Sequence, residues 1–258
     1  MKKRNITAIL AIGCIALLGS CAKEGPTGPT GPAGPSYTGN INGHVSLYDK
    51  YGSKILSDLD STTITLTGTT TGASATATVV SDVLGYYGFG IIYTGSYNLT
   101  ATHTGYAPTE LVNFPFVLGT LTKDIKLSAI PDSFITSFHA NHNSGSLYDS
   151  LVITVTADPQ PRNCIVFLNN TPAVSNFYVN GYLLSYIHAI PANATSVTIL
   201  VSKDELTSAG FVSGTSEVYY AAYSYVVNDG SVYEDVASGK NIYNAVNTNP
   251  TIDSAIAP

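Results

Sequence analysis

The sequence predicts an all-β protein, arranged as two tandem antiparallel β-sandwiches. Three observations carry that expectation. The chain is rich in Thr, Ser, Gly, Tyr and Val, with 18 Tyr, 23 Gly, a single Met and no Trp. These are strand and turn formers, while the usual helix formers are scarce. From residue 39 onward, apolar and polar residues alternate in short runs. Turn residues separate those runs at spacings of about 8–12 residues, the rhythm of a sandwich.

The first twenty residues read as a processing signal rather than as part of a fold. Lys2, Lys3 and Arg4 precede an apolar run from Ile6 to Leu18. That run is shorter than the roughly 20 residues a membrane-spanning helix needs. Leu18-Gly19-Ser20-Cys21 follows, and it resembles the lipobox of bacterial lipoproteins. The resemblance implies cleavage after residue 20 and lipidation of the Cys21 thiol. A multiply acylated cysteine is a stable membrane anchor, at about 0.8 kcal/mol per buried CH₂. The resemblance also implies an envelope location. Ala22, standing where Asp commonly retains such proteins at the inner membrane, favours the outer membrane and leaves its face open.

Residues 21–38 form the expected tether. Gly25 to Ser36 comprises four collagen-like Gly-Pro-X triplets, too few to sustain a triple helix by themselves. As a polyproline-II rod they would span roughly 35–40 Å. After cleavage, 8 Lys and Arg would face 17 Asp and Glu, a formal charge of −9. That balance argues against nucleic acid, whose phosphates require clustered cations, and against electrostatic docking on anionic lipid.

Over residues 39–130, Ile41, Gly43, Val45 and Leu47 alternate with Asn42, His44 and Ser46, and Ile64 and Leu66 alternate with threonines. Further strand candidates are Thr76 to Val80, Tyr86 to Tyr93, Tyr97 to His103 and Leu121 to Leu127. The order Gly43-His44-Val45, Thr63 to Gly68, Gly85 to Gly90, Gly95-Ser96-Tyr97 and Gly105-Tyr106 resembles the carboxypeptidase regulatory-like domain. That resemblance implies a transthyretin-like sandwich and raises the expectation of carbohydrate contact.

Pro131 marks a boundary, since proline ends strand pairing. Over residues 131–258 the candidate strands are 134–140, 151–157, 164–168, 182–189, 196–201, 218–227 and 241–245. Gly214 to Tyr220, ending at Asn228-Asp229-Gly230, loosely resembles the F strand and FG turn of a fibronectin type III-like domain. Ser202 to Leu206 predicts one helical turn, with Ser202 as N-cap and Glu205 completing a capping box.

No catalytic constellation emerges, and neither a metal nor a cofactor is implied. The chain has no His-x-x-Glu, no His-Glu-x-x-His and no Gly-x-Ser-x-Gly. His139 and His142 would point to opposite faces of a strand. Asp58 and Asp60, a conceivable calcium pair, read better as a solvated face. With Cys14 removed and Cys21 lipidated, Cys164 stands alone in an apolar run, as a buried thiol would.

Two features bear on recognition. Tyr219, Tyr223 and Tyr225 share one parity of a strand, and Val218, Tyr220, Ala222 and Val226 share the other. If the second set faces the core, the three tyrosines form an exposed ladder for sugars or a partner protein. The reverse assignment buries them and exposes Tyr220. Asp-Ser pairs resembling an O-glycosylation acceptor of some Gram-negative periplasms place candidate acceptors at Ser61, Ser150 and Ser254. The functional expectation is a non-enzymatic envelope lipoprotein contacting glycans or partner proteins. The alternative is a structural component of an envelope complex or appendage.

Overall fold

A computed structural model describes residues 37–258 apart from 143–144, 178–179, 229–231 and 236–238. The export signal, Cys21 and the Gly-Pro tether lie outside the described residues, as does most of the Asn228-Asp229-Gly230 turn.

The alternation read from the sequence becomes two facing sheets in the first half. β1 (Thr38–Tyr48), β2 (Lys54–Ile55), β3 (Thr63–Gly68), β4 (Ala77–Val80), β5 (Tyr86–Tyr93), β6 (Gly95–Thr102), β7 (Thr109–Phe116), β8 (Gly119–Thr122) and β9 (Ile125–Ser128) build them. One sheet is centred on β1, which pairs with β2 and β5 antiparallel and with β8 and β9 parallel. The other runs β4-β3-β6-β7. Ile41, Val45 and Leu47 of β1 pack with Tyr87, Phe89, Ile64, Leu66, Tyr97 and Leu99 in one core. The expected sandwich is present, and its first sheet is mixed because β8 and β9 pair with β1 in parallel. The candidate strand 121–127 is split because Lys123 and Asp124 bend out of the ladder. The Lys123 N–H bonds the Asn42 carbonyl, and Asp124 Oδ1 accepts the His44 N–H.

Gly43 explains the Gly-x-Val opening. A Cβ there would lie 2.0 Å from the Lys123 carbonyl oxygen, which also accepts the Tyr87 hydroxyl. Tyr97 of the Gly-x-Tyr segment lies in the interior strand β6. Its hydroxyl reaches the rim, donating to the Tyr93 carbonyl at 2.6 Å and accepting the Ser74 N–H at 2.7 Å.

The second half contains β10 (Ile135–His142), β11 (Tyr148–Val155), β12 (Arg162–Asn169), β13 (Leu184–Ile190), β14 (Ser196–Ser202), α1 (Lys203–Ser208), β15 (Glu217–Tyr225), β16 (Val232–Asp235), β17 (Lys240–Tyr243) and β18 (Thr251–Ile256). A three-stranded sheet, β10-β11-β14, faces a four-stranded one, β13-β12-β15-β18. Between them lie Phe138, Leu151, Ile153, Val166, Leu168, Tyr220 and Leu206. β7 and β18 escaped the sequence reading. Both are edge strands, β7 interrupted by Pro115 and β18 carrying few large apolar residues. An edge position is where proline is tolerated.

The capping box is present: Ser202 Oγ accepts the Glu205 N–H, and the Glu205 carboxylate accepts the Ser202 N–H. Ser202→Ala is expected to lower stability by about 1 kcal/mol. A shifted urea midpoint with an unchanged slope would register it.

The two sandwiches meet through polar contacts. Tyr51 Oη donates to Asp158 at 3.2 Å, Lys50 pairs with Asp132 at 2.7 Å, and Asn244 Nδ2 donates to the Pro108 carbonyl at 3.1 Å.

Candidate functional site

The tyrosine ladder of β15 is not a surface. Tyr223 is 4 % and Tyr225 2 % exposed, and Tyr219 is half-buried. The even parity faces the sandwich core as expected, with Tyr220 fully buried. The odd parity is buried as well, under a third layer. Val174 and Tyr182 from the β12–β13 connection, with Tyr243, Ala245 and Val246, cover Ile165, Phe167, Tyr223 and Tyr225. The Phe167 ring meets Tyr223 and Tyr243 edge-on at 5.5 and 5.4 Å, a favoured aromatic geometry. Neither parity assignment allowed for burial on both sides. A signal was nevertheless there: Cys164 to Leu168, the β12 partner, is apolar without alternation, as a doubly covered strand is.

The three Asp-Ser pairs are dispersed. Ser61 sits on an exposed loop with φ +66°. Ser150 lies half-buried in the central strand β11. Ser254 Oγ in β18 donates to Glu217 at 2.9 Å. Two of the aspartates are committed to the fold. Asp149 is fully buried, accepting the Tyr220 hydroxyl at 2.6 Å and lying 3.1 Å from His142 Nδ1. Asp253 accepts the Ala140 N–H at 3.0 Å and lies 3.7 Å from His139. The histidines do diverge, His139 being exposed and His142 half-buried against Asp149. Sequence adjacency hid their carboxylates, which arrive from other strands. Asp58 has φ +62° and faces His103 at 3.5 Å rather than sharing a strand with Asp60. Burial raises the Cys164 thiol to about 12, which suppresses the nucleophilic thiolate. Among the described residues no group of three His, Cys, Asp or Glu side chains converges.

The outer face of the first sandwich brings together residues that sequence order separates. Because β1 buries its odd positions, Asn40, Asn42 and His44 point outward. Register places Thr120 beside Asn40, and Thr122 and Gly88 on either side of Asn42. Tyr86 stands beside His44, their rings edge-on at 5.5 Å. The Asp82 carboxylate fixes the start of β5 by accepting the N–H groups of Leu84 and Tyr86. A Cβ at Gly88 would come within 3.4 Å of the Tyr86 hydroxyl, so the absent side chain lets that ring lean across the sheet. Thr122 Oγ1 donates to Asn42 Oδ1 at 3.2 Å, leaving the amide donors for a ligand. A depression of about 520 Å³ opens at the Asn40 end, floored by Gly90 and Gly119. These outward positions carry hydroxyl, amide, imidazole and phenol groups, and charged neighbours flank them at the His44 end, where Asp124 Oδ1 accepts the His44 N–H and Lys126 pairs beside Ser46. The alternation of β1 shows its outward residues in the sequence, but which strands lie beside it is not written there.

The architecture is that of an all-β protein of two sandwiches in tandem, the first with a hydrogen-bonding outer sheet. No family model and no curated protein matches the chain. Among solved structures it is similar to an inferred carbohydrate-binding protein from Bacteroides uniformis ATCC 8492. That match has 14 % identity, covers 84 % of this chain and 98 % of that one, and has a TM-score of 0.31. A DUF3823 family protein from Parabacteroides merdae ATCC 43184 matches at 14 % identity, 84 % and 100 % coverage, and TM-score 0.26. The major pilin SpaD from Corynebacterium diphtheriae matches at 10 % identity, 84 % and 64 % coverage, and TM-score 0.29. At such scores the likenesses carry no argument, and the architecture rests on this chain's own strand pairing.

Proposed function

We propose that this chain is a non-enzymatic envelope lipoprotein that binds neutral glycan on the outer sheet of its first sandwich. In this reading Cys21 carries the lipid, residues 21–38 are the spacer, and residues 39–130 and 131–258 are two modules held at the outer membrane. The lipobox and the Gly-Pro triplets support the anchor and spacer. Separate hydrophobic clusters in the two halves support the division into modules. Ser61 is the loop-borne acceptor among the three glycosylation candidates.

One observation carries the binding function: the hydrogen-bonding array of Asn40, Asn42, His44, Thr120 and Thr122 beside Tyr86. Paired amides and hydroxyls suit the vicinal hydroxyls of a sugar, and an aromatic ring suits its apolar C–H face. Tyr86 is 44 % exposed, so it is available for stacking and removable without opening the core.

Tyr86→Ala is expected to weaken binding of a neutral glycan about tenfold, near 1.4 kcal/mol, with an unchanged melting temperature. Glycan-array screening followed by calorimetry would measure it. The reading fails if no neutral glycan binds, or if the variant binds as well as the parent.

A further inference from the structure

We propose that β13 is a docking edge that takes up an extended segment of a partner protein by strand addition, selecting alternating apolar and basic residues. This site lies on the second sandwich and does not rest on the glycan reading.

β13 ends the four-stranded sheet and, among the described residues, pairs with β12 alone. Its register runs from Arg162↔Ile190 to Leu168↔Leu184 without a shift, so the free edge is straight. Exposed edges in stable proteins are blunted by shortness, proline, bulges or inward charges. Several other edges carry such devices, although β14, reading SVTILVS with an unshifted register, does not. β2 and β4 span two and four residues. β7 holds Pro115 and a register shift. β18 points Asp253 onto the Ala140 N–H of β10, tying two edges together across one flank. β13 reads LSYIHAI, with no proline and no Asp, Glu, Lys or Arg.

The opposite flank stays open beside this edge. β14, the edge of the facing sheet, runs directly into α1, and Leu206 of α1 is buried in the core. The helix thus closes the flank from that side and leaves β13 as the other wall. Between them lies a cleft of about 680 Å³, lined by Leu184 and Tyr186 on the strand and by Asp204, Glu205, Ser208 and Ala209 on the helix. Strand addition needs such an arrangement: main-chain groups on one wall, and room for alternate side chains on the other.

Charge selects the occupant. Both ionisable side chains of the helix wall are acidic, and no Lys or Arg lines the cleft. Hydrogen bonds from the Ser202 hydroxyl and N–H, and from the Tyr186 hydroxyl across the cleft, hold the Glu205 carboxyl below its usual range, so this wall stays anionic and Asp204 is its acidic group not held by Tyr186. Leu184, Tyr186 and Ala209 pack on the core and offer an apolar floor. An incoming strand therefore places apolar side chains inward and cationic ones against α1. A second copy of this chain fits poorly, because the formal charge is −6 and like charges repel.

The test uses a blocked, fluorescent heptapeptide of alternating valine and lysine, with anisotropy as the readout. Saturable binding is expected, with none for the valine–glutamate counterpart. N-methylating alternate residues in one register should abolish binding, while the other register stays within about twofold. Asp204→Lys should weaken binding at least about tenfold and Asp204→Asn less, both with unchanged circular dichroism. Tyr86→Ala should leave it unchanged, which separates this site from the glycan face. No binding of the valine–lysine peptide overturns the proposal. So does binding indifferent to N-methylation in both registers, which would be ionic adhesion alone. Saccharide binding lost with Asp204→Lys would assign the cleft to glycan and overturn it too.

Discussion

Asp149→Ala is expected to destabilise the second sandwich by about 3–5 kcal/mol, the cost of removing one partner from a buried polar cluster. Asp149 is fully buried, with one carboxylate oxygen on the Tyr220 hydroxyl at 2.6 Å and the other on His142 at 3.1 Å. Tyr220 is itself fully buried between the sheets. Truncating the aspartate leaves that hydroxyl without an acceptor in a space water does not reach. Such a loss is a large share of the roughly 5–15 kcal/mol that holds a domain folded. Asp149→Asn keeps an acceptor and should cost less. Asp149→Leu combined with Tyr220→Phe removes donor and acceptor together and should recover much of the loss. Urea denaturation of the three variants would decide it. A loss below about 1 kcal/mol for Asp149→Ala would show that this cluster does not hold the sheets together.

Alkaline pH is expected to unfold the protein steeply. Burial, reinforced by the nearby Asp124 carboxylate, raises the ionisation of Tyr87. Burial raises Tyr220 as well, reinforced by its bond to Asp149. Burial also lifts Tyr182 to about 12, with Tyr243 adding to the effect. In the unfolded chain a tyrosine ionises near 10. Above about pH 10 the unfolded state therefore loses protons that the folded state keeps. The contribution of these rings is intact below that pH and is lost as the pH rises, by about 1.4 kcal/mol per pH unit for each such group. Three tyrosines together give a slope of about 4 kcal/mol per pH unit up to the folded value of Tyr182. Cys164, held near 12 by burial, adds its share from about pH 8.5 upward. Tyrosinate absorbance and circular dichroism should therefore change together in one cooperative step. Smooth ionisation with an intact β spectrum at pH 12 would contradict the burial of these rings.

What could be read without the fold is what neighbouring residues settle between themselves. Ile41, Val45 and Leu47 announce a buried face because successive strand side chains point to opposite sides. Leu151, Ile153 and Val155 do the same in β11. Ser202 and Glu205 announce their capping box because both bonds close within three residues. Glycine at 43 was visible as part of a pattern, but its cause was not. The carbonyl it makes room for belongs to Lys123, eighty residues along the chain.

The binding face shows the same divide. Asn42 was legible as an outward position, yet its place beside Gly88 and Thr122 depends on β1 pairing with β5 and β8. The β15 tyrosines were misplaced for a related reason. Parity fixes which side of a strand a residue takes, but not whether that side meets water. By itself the sequence determined an all-β chain, the alternating core faces and the helix cap, because these follow from contacts a few residues apart. The tertiary structure alone decided that Tyr223 and Tyr225 are core, that Asp149 is a buried keystone, and that Asn42, Thr122 and Tyr86 share one outer face of the first sandwich. Burial and adjacency are set by whatever distant segment folds over a strand or beside it, and no local pattern encodes that.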